Sequence, residues 1–312
     1  MIQIVKSPTI LFVNELHESS TLLGDGPGLR DRLTTDGYLY FAGLLPREAV
    51  AAVRADVLGV LDRSGWLVAG SDVADGVPGV EWINEGDDLF FPMYRELQSL
   101  YSFHALAHHD ALVAAIGRLL GDEVLVHPRK ISRVTFPDNP FGTTPPHQDY
   151  RFIQGTPDVI TAWVPLGDLT AGEGGLRVLA GSQHQGLRPP VSYDAVGGIG
   201  VAADDTLPGW ATTTFEMGDV LLFHSLTVHG AVPNRSHHLR ISADYRYQAV
   251  RHPVTEGTLH PHYHPSIPDW PALTGGWAST DVIEAPSGTR VVAAGSPLDE
   301  LPLDPSPFAQ YA

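Results

Sequence analysis

The 312-residue sequence contains no cysteine. Disulfides, thiolate metal sites and cysteine nucleophiles are thereby excluded, and any bound metal must be held by His, Asp or Glu. Basic residues are scarce: 19 Lys and Arg stand against 36 Asp and Glu, a formal charge of −17. So acidic a chain is repelled by phosphate backbones, which argues against a nucleic-acid partner. Long apolar runs are missing as well. No window reaches the roughly 18 apolar residues that a membrane span needs. The opening segment, MIQIVKSPTILFVNELHESS, has one early lysine, a proline at position 8 and no unbroken apolar stretch, so it does not read as a secretion signal. The expectation is a cytoplasmic protein with no membrane partner, in keeping with the missing cysteines.

Turn-forming residues are plentiful. With 32 glycines and 26 prolines, the composition points to a loop-rich, largely β architecture, and 43% hydrophobic content is enough to bury a sizeable core. Helical spacing gathers at the front. After Leu45-Pro46, apolar residues recur at Val50, Val53, Val57, Val60 and Leu61, with proline suited to a first helical turn. Further helices are expected over about 92–106 and 110–120, the second capped by Asp110 and closed by Gly121. From Glu123 the period changes to short strands, at about 123–136, 159–165, 176–179, 212–216, 220–223 and 239–248. This spacing predicts an antiparallel sandwich or jelly roll. We expect a single domain over 1–312: a helical N-terminal part (1–122), a jelly-roll core (123–250) and an irregular, proline-rich C-terminal tail (251–312).

Two His and one carboxylate on one face of an iron(II) octahedron leave the opposite face open to a co-substrate and dioxygen. In TTPPHQDYRF, His147 and Asp149 stand two apart, so on an extended backbone both side chains project to one side while Gln148 points away. The two preceding prolines favour that backbone. Downstream lies EMGDVLLFHSLTVHGAVPNRSHHLRISADYRYQ, in which Met217-Gly218-Asp219 reads as a tight turn and 220–223 as a buried strand. His224 and His229 follow, and either could supply the third ligand. Beyond them, alternation puts Leu239, Ile241 and Ala243 on one face and Arg240, Ser242 and Asp244 on the other. Such a polar face either meets solvent or lines a site. In a 2-oxoglutarate site the distal carboxylate needs a fork of donors, a task suited to an arginine with a hydroxyl beside it.

The ordered segments DGYLYFAGLLPREAV, HQD, TAWVPLGDLTAGEGGLRVLAGSQHQG, GDVLLFHSLTVHGAVPN and RIS run from about Asp36 to Gln248. Together they resemble the phytanoyl-CoA dioxygenase-like family of iron(II)/2-oxoglutarate oxygenases. The resemblance implies a double-stranded β-helix, a cupin-like jelly-roll core with N-terminal helices packed on it. It implies Fe(II) as cofactor, with 2-oxoglutarate and O2 as co-substrates. It places His147 and Asp149 as near ligands, His229 as distal ligand and Arg240 as binder of the distal carboxylate of 2-oxoglutarate. His224 becomes a bystander, because the family pattern has glycine directly after the distal His and a basic residue about eleven later, as at His229-Gly230 and Arg240. Ser242 and Trp163 match positions that line the co-substrate pocket. Related halogenases replace the carboxylate by a small residue, so the presence of Asp149 implies hydroxylation or a similar oxidation of a small organic molecule, with natural-product biosynthesis as the expected setting. No catalytic residue beyond the metal ligands is expected.

Tyr150, Arg151 and Phe152 directly follow the ligand pair and are the expected substrate contacts. Trp82 is another, in the loop EWINEGDDLFFPMY, which with Asn84 and Tyr94 is a candidate lid. In HPRKISRVTF, His127, Arg129, Ile131, Arg133 and Thr135 share one face; one of them could contact the substrate or co-substrate, and surface charge pairing is the expectation for each. His260, His262 and His264 read as surface residues of the tail, and His237-His238 as a turn without a role. Two other functional classes suit the same fold. One is a cupin-like metal hydrolase or isomerase that uses the triad without 2-oxoglutarate; the other is a non-catalytic small-molecule binding protein. Arg240 discriminates, since only an oxygenase needs it for a co-substrate.

Overall fold

The structure is a computed structural model that describes residues 13–170, 172–203 and 209–295. The opening twelve residues, and the part of the expected tail beyond 295, lie outside the described residues.

Five helices lead into the barrel: α1 (Gly26–Asp36), α2 (Arg47–Arg63), α3 (Phe90–Gln98), α4 (Tyr101–Leu106) and α5 (Asp110–Leu120). Two single turns come later, α6 (Tyr150–Ile153) and α7 (Trp270–Leu273). The apolar stripe of α2 is buried as its spacing predicts. The helix expected over 92–106 is broken, because Leu100 is extended (ψ 108°) and restarts the chain as α4. Gly121 closes α5 in the left-handed conformation (φ 64°), but the cap at its start is His109, whose Nδ1 accepts from the Ala111 N–H (3.3 Å); Asp110 is already helical. Helix α1 was not anticipated, although Asp25 accepts from the Gly28 N–H (3.1 Å) ahead of a proline in the first turn.

The strands are β1 (Asn14–Glu15), β2 (Tyr38–Phe41), β3 (Val124–Val126), β4 (Ile131–Thr135), β5 (Ile160–Pro165), β6 (Leu176–Leu179) and β7 (Pro190–Ser192). They continue with β8 (Ile199–Val201), β9 (Trp210–Thr212), β10 (Val220–His224), β11 (His229–Ala231), β12 (Arg240–Ala249), β13 (Val254–Thr255) and β14 (Val291–Val292). A major sheet has the order β2-β10-β5-β12-β3, with β4 also on β12; a minor sheet has the order β1-β9-β6-β11. The strand expected over 123–136 is two strands that share one edge of β12: Val126 pairs with Tyr247 and Ile131 with Asp244, and residues 127–130 loop out between them. The strand expected over 212–216 lies earlier, at β9, and within the remainder Phe215 makes one bridge to Leu169.

The two faces of the major sheet meet different surroundings. Leu239, Ile241, Ala243, Tyr245 and Tyr247 pack under the helices with Val53, Met93 and Ile116. Burial of each large apolar side chain contributes about 1.5–3 kcal/mol. The hydroxyls of Tyr245 and Tyr247 donate to Phe103 O and Ala107 O (2.8 Å each), so the aromatics bury no unpaired polar atom there. Between the sheets, Tyr38, Trp163, Val178, Phe215 and Phe223 form a second core that fills part of the barrel. The polar face of β12 therefore points into the barrel and not to solvent: Arg240, Ser242, Arg246 and Gln248 are each no more than 5% exposed. Among the described residues, no helix is long and apolar enough to cross a membrane.

Candidate metal centre

His147 and His229 face each other across an isolated antiparallel bridge. The His147 N–H donates to His229 O (2.8 Å) and the His229 N–H to His147 O (3.0 Å). Directly opposed residues send their side chains to the same side of the ladder, which brings the ring centroids to 4.1 Å. The glycine after His229 has a steric reason: a Cβ at Gly230 would lie 3.2–3.3 Å from the backbone of Pro145 and Pro146. Asp149 reaches the same centre by another route than simple alternation, since its backbone has already turned helical (φ −59°, ψ −33°) to start α6.

Each imidazole is oriented by a carbonyl two residues earlier. His147 Nδ1 donates to Pro145 O (2.9 Å) and His229 Nδ1 to Thr227 O (3.0 Å), which leaves both Nε2 lone pairs turned toward Asp149 Oδ1, at 3.7 and 3.9 Å. Asp149 Oδ2 accepts from the Thr161 hydroxyl (2.5 Å), and Oδ1 from Arg246 (3.1 Å). All three ligand atoms lie within 4.8 Å of one another, on buried residues. Burial pushes the His147 imidazole down to about 3, with His229 adding to the effect, and burial likewise lowers His229; both rings are neutral and able to ligate. Burial raises the Asp149 carboxyl, but the opposing charge of Arg246, with the Thr161 hydroxyl bonded to Oδ2, holds it well below the usual carboxylate range. The donor set thus fits a divalent cation. His224 is turned away, its Nε2 toward Asp158 (3.6 Å) and its Nδ1 accepting from the Leu226 N–H (3.2 Å).

Two cavities meet at the triad. The smaller, about 30 Å³, joins it to Trp163 and Arg240. Arg240 is buried, donates to Ser242 Oγ (2.8 Å) and leaves its Nε without a partner; no carboxylate lies within ion-pair distance of it among the described residues. Ser242 holds the guanidinium and does not itself line the cavity. The larger cavity, about 280 Å³, extends from His147 and Asp149 past Phe152 to Arg129, Ile199 and His262.

Several expected substrate contacts fall elsewhere. Phe152 lines the larger cavity; Tyr150, Arg151 and Trp82 line neither. Arg151 donates to Arg188 O (2.5 Å), and Trp82 faces outward. From the Trp82 loop it is Glu85 that reaches the wall, where Arg133 donates to both its oxygens (2.8 and 2.7 Å). The face carrying His127, Arg129 and Arg133 is therefore inside the barrel, and the charge of Arg133 pairs there with Glu85, not at the surface. His262 likewise sits in the cavity wall, bonded to the Tyr94 hydroxyl (2.8 Å), whereas His260 and His264 lie outside with Asp269. His238 bonds Asp75 O (2.7 Å), a structural contact. Arg246 escaped the sequence reading although it continues the Arg240, Ser242, Asp244 alternation by one more step.

A jelly roll that buries two imidazoles and one carboxylate at a cavity wall is the scaffold of a mononuclear non-haem metal enzyme. The family profile Phytanoyl-CoA dioxygenase (PhyH) matches residues 33–242, and the chain belongs to that family. It is accordingly an oxidoreductase that uses iron and 2-oxoglutarate. The 1-deoxypentalenic acid 11-beta-hydroxylase of Streptomyces arenae is 29% identical over 253 residues, covering 74% of this chain and 84% of the relative. The enzyme of the same name from Streptomyces exfoliatus is 28% identical over 249 residues, with the same coverages. Among solved structures, the epimerase SnoN in complex with Fe3+, alpha ketoglutarate and nogalamycin RO superposes with a TM-score of 0.52 at 21% identity, covering 74% of this chain and 86% of that one. The non-heme monooxygenase ThoJ gives a TM-score of 0.51 at 20% identity over 72% and 79%. At these identities the two structures share the fold.

Proposed function

We propose that the protein hydroxylates a small organic molecule in natural-product biosynthesis, with His147, Asp149 and His229 holding iron(II) and Arg240 receiving the distal carboxylate of 2-oxoglutarate. One observation carries the reading: a buried arginine with no carboxylate within ion-pair distance among the described residues shares a cavity with three convergent metal-ligand atoms. The hydroxylase names of the two Streptomyces relatives support it. With iron bound there, 2-oxoglutarate and dioxygen would supply the oxidising chemistry for attack on a C–H bond. The chain supplies the rest. Pro145 O and Thr227 O fix the imidazoles, Thr161 and Arg246 fix the carboxylate, and Ser242 steadies Arg240. Trp163, Phe223 and Leu176 keep the small cavity dry, which strengthens the pairing of Arg240 with an anion.

The test is anaerobic titration with iron(II) and 2-oxoglutarate, read by the metal-to-ligand charge-transfer band. The wild-type protein should form the band. Arg240→Ala should need about 10- to 100-fold more 2-oxoglutarate, the loss expected for a charged hydrogen-bonding partner, while iron binding stays unchanged. No band in the wild type, or an unaltered titration in Arg240→Ala, defeats the reading.

A further inference from the structure

The larger cavity identifies a substrate class, and the inference rests on the oxygenase reading above. Three guanidinium groups line that cavity. Arg133 is countered by Glu85 and, at 3.4 Å, by Asp244; Arg246 is countered by Asp149 at 3.1 Å. Arg129 has no such partner. Its side chain makes no hydrogen bond or ion pair with any described residue, and its buried Nε lacks an acceptor. Burial, with Arg246 nearby, lowers its pKa to about 10, so it remains charged at neutral pH. In a chain with 36 acidic and 19 basic residues, acids to pair with it are plentiful, yet among the described residues none lies within ion-pair distance of it: Glu85 and Asp149, on the same wall, are engaged by Arg133 and Arg246.

The group is also held in position. The Arg129 backbone N–H donates to Thr258 O (3.1 Å), which fixes the main chain there, and the guanidinium lies against Gly257, where a Cβ would stand 3.2 Å from Nη2 and 3.7 Å from Cζ. Long cationic side chains ordinarily extend their heads to water. This one is kept on a cavity wall. The two histidines beside it add no charge. Burial lowers His127 to about 3 and His262 well below its usual value, so both are neutral. The Tyr94 hydroxyl accepts from the Ser132 N–H (3.4 Å) and is hydrogen-bonded to His262 Nδ1 (2.8 Å). Ile131, Phe152, Ile153, Val196 and Ile199 supply the apolar part of the lining. At about 280 Å³ the space lies at the small end of ligand pockets, which run to roughly 300–1,000 Å³, and does not enclose a nucleotide-bearing thioester.

We propose that Arg129 binds a carboxylate of the substrate, and that the substrates are compact free carboxylic acids whose apolar body lies against Phe152, Ile153 and Ile199. A guanidinium fork matches both carboxylate oxygens at once and loses that match when the acid becomes an amide. The test uses the full chain loaded anaerobically with iron(II) and 2-oxoglutarate, titrated by calorimetry with matched pairs: 1-adamantanecarboxylate and its carboxamide, and abietate and its carboxamide. At least one acid should bind about ten-fold more tightly than its amide. Arg129→Gln should reduce that preference below two-fold, Arg129→Lys should restore part of it, and the charge-transfer band should persist in both. Equal binding of acid and amide in every pair, including failure of all four to bind, overturns the proposal, as does a preference that survives Arg129→Gln. Loss of the band in Arg129→Gln also overturns it, by assigning the arginine to the co-substrate. Calorimetry reads the acid preference whether or not the wild type forms the band, so failure of the oxygenase reading is distinguishable from failure of this one.

Discussion

Among the described residues, two clusters of two histidines and one aspartate have ligand atoms within 4.8 Å of one another: His147, Asp149 and His229 in the barrel, and His260, His264 and Asp269 on the tail. Residue type and spacing do not separate them; the surroundings do. In the barrel, backbone carbonyls occupy both Nδ1 atoms and free both Nε2 atoms for the centre. On the tail, His260 spends one nitrogen on Asp269 (3.1 Å) and the other on Glu256 (3.2 Å), and its ring stacks on His264 at 4.5 Å. The Asp269 hydrogen bond, with Glu256 behind it, raises the His260 pKa and favours the protonated form that cannot ligate. Proximity of donors makes a candidate. Orientation by the next layer of hydrogen bonds makes a site.

The strongest challenge to this contrast is to remove one histidine from each cluster. His229→Ala should lower iron(II) affinity by at least about 100-fold, beyond the 10- to 100-fold typical of removing a supporting residue, while His264→Ala leaves affinity and stoichiometry unchanged in equilibrium dialysis. Equal effects would erase the distinction. A finer probe leaves every ligand in place. Arg246→Leu and Thr161→Val each strip one support from Asp149, and metal titration should show losses of about 10-fold or more, larger for Arg246 because its bond carries charge. The smallest effect belongs to the tail. Because the folded pKa of His260 is raised, its pairing stabilises fully below the unfolded value near 6.5 and is lost as pH rises through the raised one. With Asp269 44% exposed, thermal melts at pH 6 and 8 should differ by less than about 1 kcal/mol from this source, and Asp269→Asn should abolish that part of the difference.

The sequence carried the ligand triad further than its own geometry warranted. His-x-Asp suggested an extended backbone, yet Asp149 is helical and reaches the centre through a turn. The choice of His229 over His224 came from family register, and its physical basis, the bridge to His147 and the close packing of Gly230, exists between segments some eighty residues apart. Alternation on β12 correctly divided polar from apolar residues. It could not say which side was solvent, because a strand inside a closed barrel and one at a surface share the same period. The same ambiguity sent Arg129 and Arg133 to the surface in the sequence reading, when the β3–β4 edge turns them inward. Glu85 and His262 come from irregular segments with no period to read, and only tertiary packing brings them to the cavity.

Arg246 has a bearing on the protein's life before and between turnovers. A buried carboxylate without a countercharge would weigh heavily against folding. Arg246 supplies that countercharge to Asp149 from the neighbouring strand, and it does so independently of any cation. Assembly of the barrel need not wait for iron, and an ion that leaves does not strand a naked anion in the core. The countercharge is thus part of the apo fold itself, present whether or not a cation occupies the centre.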